Sequence, residues 1–390
     1  MKKSNILIPS LCAALLASSP LALADSTDKI KVMTRNLYLG ADIFPVIEAA
    51  NTDPALVPLA VTEAFQAMQL TNFNERAEAI ADEIQRYKPH AIGLQEVSTI
   101  YTQFPSDFGY SQYGYPEQAA DTLFIDYITV LQDALDARGL NYSVAASVTN
   151  ADIELPMVSG MTPEGQPLLT DLRLVDHDVI LVREGVIASN PLAGNFTYNV
   201  AMDVGGANLE FTRGYTATDL NVKGENYRFV NTHLETGGSE PFKSLQAVQM
   251  NELLTIMNMT NPAATPSILV GDFNSSPNEQ PFTSQSGIPG LDGLPLVPPY
   301  LQAVGTGNID LWTQKRKEKD GFTCCFSATV NDADTTLYER IDHIFLNPQG
   351  KQIDKIKAKV VGDDAVDMTV NGLWPSDHAG VVGKIKFLAD

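Results

Sequence analysis

The 390-residue chain is short of cysteine, tryptophan, histidine and positive charge. It has three Cys, two Trp and five His, and 26 Lys and Arg stand against 47 Asp and Glu. Three cysteines exclude a disulfide-stapled scaffold. The neighbours Cys324 and Cys325 are too few ligands for a zinc site. A bond between them is strained, because Cα atoms across a trans peptide lie about 3.8 Å apart and disulfides prefer about 4.4–6.8 Å. The sequence leaves a bonded pair and two structural thiols equally open. A net charge of −21 repels polyanions and disfavours nonspecific nucleic-acid binding, which needs basic residues against phosphates. The one short cationic cluster, QKRKEK at 314–319, is interleaved with acid. No G-x-S-x-G elbow and no H-E-x-x-H motif is present, which argues against a serine hydrolase and a zincin. No apolar run reaches the roughly 20 residues a membrane helix needs.

What is there begins with a leader. Lys2 and Lys3 precede an apolar run from Ile6 to Leu16, and an A-x-A site places cleavage after Ala24. Residues 1–24 read as a signal peptide, and residues 25–390 as one domain that is secreted or periplasmic. Cys12 sits within the apolar run and is not read as a lipid attachment site. The leader holds two lysines and no acid, so 24 basic and 47 acidic residues remain, a net of −23. The hydrophobic content of 44% is ample for a core.

Periodicity predicts strands at 30–37, 90–97, 179–183, 208–222 with an interruption at Gly214, 227–232, 267–272 and 341–346, with a last strand after 377. Helices are predicted at 73–87, 123–137 and 241–257. Strands and helices mix without strict alternation, which argues for sheets packed on each other with helices outside. The stretch 41–72 is expected to add one or two helices, and such long connections, with 99–118 and 275–307, are of the kind that form lids or binding loops. The aromatic stretch 101–115 reads as core packing first and as contact with an apolar substrate second.

Polar residues recur at strand ends. Asn36 follows the first strand, Glu96 ends IGLQEV and His233 ends FVNTHLE. Asp272 and Asn274 end ILVGDFN, Asp342 and His343 begin IDHIFL, and Asp377 and His378 open the last strand. Alone, each is an ordinary turn, cap or core residue. As a set they can meet, because strands of one layer bring their ends to one rim.

QEV, GDFN, IDHIFL and SDHAGV, in this order from Asn36 to His378, resemble the endonuclease/exonuclease/phosphatase superfamily, the DNase I-like fold. TRNLYLGAD is similar to its bacterial, sphingomyelinase-like branches. The resemblance implies an α/β four-layered sandwich, two mixed β-sheets face to face with helices on both outer faces and the site at one rim. It implies Glu96 as the main metal ligand, with Asn36 and Asp377 nearby. Such oxygen ligands suit Mg²⁺, with Mn²⁺ or Ca²⁺ as alternatives. His378 then activates or orients water, and Asp342 fixes its tautomer. Asp272 positions the water, Asn274 donates to a phosphoryl oxygen, and His233 donates to a phosphoryl oxygen or the leaving group. Arg213 either clamps a phosphoryl oxygen or faces solvent from its strand. Tyr38 stands where several members carry an acid, which leaves the choice between one metal and two open. His343 reads as structural, His90 as a helix-end residue, and His177 and Asp178 as near the site without an assigned role.

Three functions are compatible with this reading. The first is a secreted, metal-dependent phosphodiesterase acting on a small or lipid-borne phosphoester. The second is a nuclease of the same fold. The third is an inactive binding module, ranked last because no expected residue is missing. No protein partner is implied, and the chain is expected to be a monomer.

Overall fold

The computed structural model describes residues 29–204, 207–261, 264–314 and 320–388. The leader at 1–24 and all of the cationic cluster except Gln314 lie outside the described residues. The strands that frame the molecule are β1 (Lys29–Asn36), β2 (Ala91–Gln95), β3 (Tyr142–Met161), β4 (Pro167–Arg183), β5 (Gly214–Val222), β6 (Glu225–His233), β7 (Ser267–Asp272), β8 (Asp342–Asn347), β9 (Ile353–Val361) and β10 (Gly380–Phe387). The main helices are α1 (Phe73–Tyr87), α2 (Tyr127–Asp136) and α3 (Phe242–Thr260).

Among the described residues a ten-stranded sheet runs in the order β9-β10-β1-β2-β4-β3, continued by Ala207–Phe211 and Val200–Val204. Two short strands, Thr99–Gln103 and Thr122–Asp126, extend it beside β4. A six-stranded sheet runs Ile309–Asp310, β8, β7, β6, β5 and Ile187–Asn195. β1 with β2 and β6 with β7 are parallel pairs, and their outer neighbours are antiparallel, so both sheets are mixed.

The period-2 alternation of side chains decides the layering. In β7, Ile268 and Val270 face the other sheet and meet Ile30, Val32, Ile180 and Phe229. Leu269, between them, faces outward onto Met250 and Leu253 of α3. In β2, Ala91 faces inward while Ile92 and Leu94 face outward onto Ala77, Ile80 and Ile84 of α1. Those three recur at helical spacing, so α1 presents one apolar stripe to the sheet. Helix, sheet, sheet and helix therefore stack as the predicted four-layered sandwich.

Gly93 lets the two sheets approach. A Cβ there would meet Asn231 Oδ1 and Val270 Cγ2, each at 2.5 Å. Asn231 instead uses that space to accept from Gln95 Nε2 at 2.6 Å and to donate to the Leu94 carbonyl at 3.0 Å. This buried, satisfied polar bridge lies one residue below Glu96.

Some expectations change. Only residues 179–183 of the long β3–β4 hairpin were expected. Ile153, Leu155 and Met157 instead pack on a helix, Val57–Leu70, that covers the hairpin. The helix predicted at 123–137 starts at Tyr127, since Asp126 ends a strand and its side chain accepts from the Ile128 N–H as an N-cap. The interruption expected in 208–222 is present: one strand ends at Phe211 and the next starts at Gly214, where a Cβ would lie 2.6 Å from the Gly194 carbonyl. Most of the aromatic stretch does not pack in the core: Phe104, Tyr110, Tyr113 and Tyr115 are at least half exposed, while Phe108 packs against the cluster under the Val57–Leu70 helix.

Candidate active site

Parallel strands end at the same edge, and an antiparallel neighbour begins there. β1 and β2 bring Asn36 and Glu96 to that edge, and β10 opens just after Asp377 and His378. In the other sheet His233 is in register with Asp272, and Asp272 with Asp342. Residues hundreds of positions apart in sequence thus become neighbours on one rim.

The contacts form a chain. Asn36 Nδ2 donates to Glu96 Oε1 at 2.9 Å and to Asp272 Oδ2 at 3.1 Å. Asn36 Oδ1 accepts from the Tyr38 N–H, and Glu96 Oε2 accepts from the Leu39 N–H. His378 Nδ1 lies 2.8 Å from Asp342 Oδ2 and 3.7 Å from Asp272 Oδ2. On the other side of Asp272, His233 Nε2 lies 3.5 Å from its Oδ2. The Asn274 N–H donates to Asp272 Oδ1, and Asn274 Nδ2 reaches the Leu234 carbonyl and His233 Nε2 at 3.1 and 3.3 Å. Arg213 faces inward: its Nη1 is 3.1 and 3.3 Å from the two His233 nitrogens, and its Nη2 pairs with Glu235 at 3.4 Å.

Asp272 and Asp342 are 1% exposed, His233 3% and His378 6%, so none is a surface turn residue. Their protonation follows from burial and from each other. Burial alone would lower His378, but the Asp342, Asp272 and Asp377 carboxylates outweigh it and hold the imidazole well above the ordinary histidine range. His233 is pushed well below that range by burial and then by the Arg213 cation, so it is neutral. Burial and Asp342 push Asp272 up to about 7. Burial and Asp377 raise Glu96, and burial raises Asp377. Two histidines with opposite shifts share one carboxylate between them.

The rim is held by residues the motif reading did not include. Buried Arg76 on α1 donates to the carbonyls of Thr71, Leu37, Tyr38 and Pro375, and so ties the Asn36 loop to the Asp377 loop. Arg35 donates to the His378 carbonyl and pairs with Glu83 at 3.0 Å. Tyr38, Glu96 and Asn274 all have φ near +50°, a conformation that side chains avoid and that concentrates at functional sites. Glu235 and Asp176 also border the site. Both help hold Arg213 charged against the opposing effect of burial. The only signal for Glu235 was its spacing, two positions after His233 along the same strand direction.

The remaining candidates fall elsewhere. His343 is buried, with its Nε2 2.9 Å from the Ser275 carbonyl and its Nδ1 beside Arg340. His90 accepts from the Lys31 N–H, and His177 contacts the Val97 carbonyl. Asp178 is fully buried beside the site. Cys324 and Cys325 place their sulfurs within 4.8 Å of a ring nitrogen of His378. The ligand atoms of Asp272, Asp342 and His378 also lie within 4.8 Å of one another.

A protein of the endonuclease/exonuclease/phosphatase family from Bacteroides thetaiotaomicron superposes with a TM-score of 0.50 at 15% identity, over 93% of this chain and 99% of that one. The mannosyl-6-phosphatase of the same organism gives 0.49 at 15% identity, over 92% and 100%. Truncated TDP2 from Caenorhabditis elegans gives 0.46 at 14% identity, over 92% and 97%. Comparison with curated proteins gives no match. Residues 65–378 match the Endonuclease/Exonuclease/phosphatase family model, and the chain therefore belongs to that family, whose members are hydrolases acting on phosphoesters.

Proposed function

We propose that this protein is an exported, divalent-metal-dependent phosphodiesterase that cleaves a small or lipid-borne phosphodiester by attack of water. The carrying observation is the continuous chain Glu96–Asn36–Asp272–His378–Asp342, with His233, Asn274 and Arg213 on its other side. Export rests on the leader-like first 24 residues.

The donor set fits a hard cation. Glu96 and Asp377 are two carboxylates, each disfavoured as an anion by burial, and Asp377 further raises Glu96. A divalent cation relieves that repulsion and suits all-oxygen ligands. Glu96 and Asp377 would hold it, with Asn36 fixing the Glu96 carboxylate through its amide. When bound, it neutralises charge developing on the phosphoryl group and makes bound water more acidic.

The chain's own residues supply the rest. Asp342 engages His378 Nδ1, which leaves Nε2 as the ring nitrogen for water or a phosphoryl oxygen. Asp272 sits between both histidines and is itself held at both oxygens, by Asn274 and Asn36. It is therefore placed to position water. Asn274 and neutral His233 are fixed N–H donors, and Arg213 adds a cation beside them. Fixed donors aimed at developing phosphoryl charge are the largest ordinary source of such rate enhancement.

Two observations support the substrate class. The strand Thr99–Gln103 starts three residues after Glu96 and leads to exposed Phe104, Tyr110, Tyr113 and Tyr115, which suit an apolar or interfacial substrate. The net charge of −21 works against long polyanions. The test compares headgroup release from sphingomyelin or phosphatidylcholine vesicles, turnover of bis-p-nitrophenyl phosphate, and nicking of plasmid DNA, at matched Mg²⁺ and moderate salt. Diester turnover should exceed nicking. Efficient nicking without headgroup release would establish the nuclease instead, and inactivity on every phosphoester would establish the binding module.

A further inference from the structure

Seven of the chain's 26 Lys and Arg stand on one face of three adjacent strands. In register, Lys29 of β1 faces Lys386 of β10, which faces Lys355 of β9. Two residues along, Lys31, Lys384 and Lys357 form a second row, and Lys359 follows. The intervening Ile30, Ile385, Ile356 and Ala358 are buried between the sheets, so the lysines point away from the core. Like charges directly opposite on neighbouring strands destabilise a sheet. A grid of two rows of three is the opposite of what stability alone favours, and it occurs in a strongly acidic protein.

The lysines are not spread flat. Lys29, Lys355, Lys357, Lys384 and Lys386 line a hollow of about 310 Å³, and Asp354 is the only carboxylate lining it among the described residues. Asp354 is engaged by Lys386 Nζ at 2.7 Å. The hollow lies far from the catalytic rim. Lys29 and Asn36 are at opposite ends of β1, roughly 20 Å apart at about 3.3 Å per residue.

We infer that this hollow is a binding site for a compact soluble anion carrying several phosphate groups, separate from the catalytic cleft. Within the hollow, three lysines of the first row and two of the second, on strands about 4.8 Å apart and in rows about 6.6 Å apart, match several phosphates on one small molecule. A concave site admits a small ligand, whereas a bilayer surface meets protruding charge. A long nucleic acid would also meet the acidic remainder of the protein. Binding such an anion removes the repulsion within the grid and therefore stabilises the edge of the larger sheet.

The test uses the full chain in EDTA, so that metal-bridged binding at the cleft is absent, and titrates sodium tripolyphosphate by calorimetry and thermal shift. Binding is expected at low salt, weakening at physiological salt, with a raised melting temperature. The double variant Lys355→Glu, Lys384→Glu should weaken it about tenfold or more, since an exposed ion contact contributes up to about fivefold and two are reversed. The neutral pair Lys355→Gln, Lys357→Gln should weaken it less. Both variants should melt no lower than the parent without ligand, whereas Arg213→Ala should leave binding unchanged. Equal affinity in the lysine variants, or loss only in Arg213→Ala, would overturn the site. Binding of anionic vesicles or of single-stranded DNA in place of tripolyphosphate would overturn the ligand class.

Discussion

Replacing Asp342 by Asn tests the core of the site with little change in shape. The carboxylate lies 2.8 Å from His378 Nδ1, both groups are buried, and Asp342 is the leading charge holding His378 above its ordinary range. Two unit charges about 4 Å apart interact by about 4 kcal/mol at an effective dielectric of 20. At about 1.4 kcal/mol per decade this corresponds to about three powers of ten in rate, if the ion pair is kept in the transition state. That falls within the ordinary range of about 10²–10⁴ for acid–base help. The amide can also donate to Nδ1 and select the wrong tautomer. The variant should therefore lose about a thousandfold in kcat/KM on bis-p-nitrophenyl phosphate. Removing an anion lowers the His378 pKa, so the limb of the pH–rate profile that follows its protonated form should move to lower pH. The melting temperature should shift by no more than a few degrees, because one carboxylate is removed from a crowded acidic group. A variant with parental kcat/KM and an unshifted profile would show that the Asp342–His378 pair has no catalytic part.

Glu96→Gln keeps the shape of the carboxylate and removes its charge; activity should fall at least about a hundredfold, since a bound cation supplies several kcal/mol of transition-state stabilisation, while the fold persists by circular dichroism. EDTA should abolish turnover of the parent and added Mg²⁺ should restore it; turnover undiminished in chelator would contradict the cation site. Burial, then the Arg340 cation, pushes His343 down to about 4 from 6.5. Its folded pKa is depressed, so the unfolded chain takes the proton first, and stability is lost as pH falls from about 6.5 towards 4, by on the order of 3 kcal/mol. Urea titrations across that window should show a steeper loss in the parent than in His343→Gln, and equal slopes would refute it. Gly93→Ala places a Cβ 2.5 Å from both Asn231 and Val270. It should cost about 1–3 kcal/mol in urea unfolding, and it should lower activity by displacing the Asn231–Gln95 bridge beneath Glu96. An unchanged unfolding midpoint would mean that the sheets can separate there freely.

How much was legible can be judged residue by residue. Short apolar runs ending in QE, THL, GDFN and SDH were visible as strands with polar ends, because alternation and helical spacing are local properties of a chain. The layering followed from them, as did the set of residues to suspect. Arg76 was not legible as the clamp of the rim, since nothing near Arg76 in sequence shows that Leu37, Tyr38 and Pro375 leave carbonyls unpaired. The β3–β4 hairpin was hidden because the helix that buries Ile153, Leu155 and Met157 lies about a hundred residues earlier. The exposure of the 101–115 aromatics was misread for the same reason: aromaticity is a property of the residue, and burial is a property of its neighbours.

The lysine grid shows the same division most plainly. Composition alone established that the chain is acidic, and in 351–359 the four lysines are spread along an alternating strand rather than run together as in 314–319. The lysines of residues 29–31, 355–359 and 384–386 are each an ordinary alternating strand face. Only hydrogen-bonded register set them opposite one another, just as register brought His233, Asp272 and Asp342 side by side. The sequence by itself determined which residues alternate, which strands end in polar groups and what chemistry those groups can perform. The tertiary structure alone decided which of them touch, because strand order and register are set by packing across the sheets, and a charge acts on whatever lies within a few ångströms of it in space.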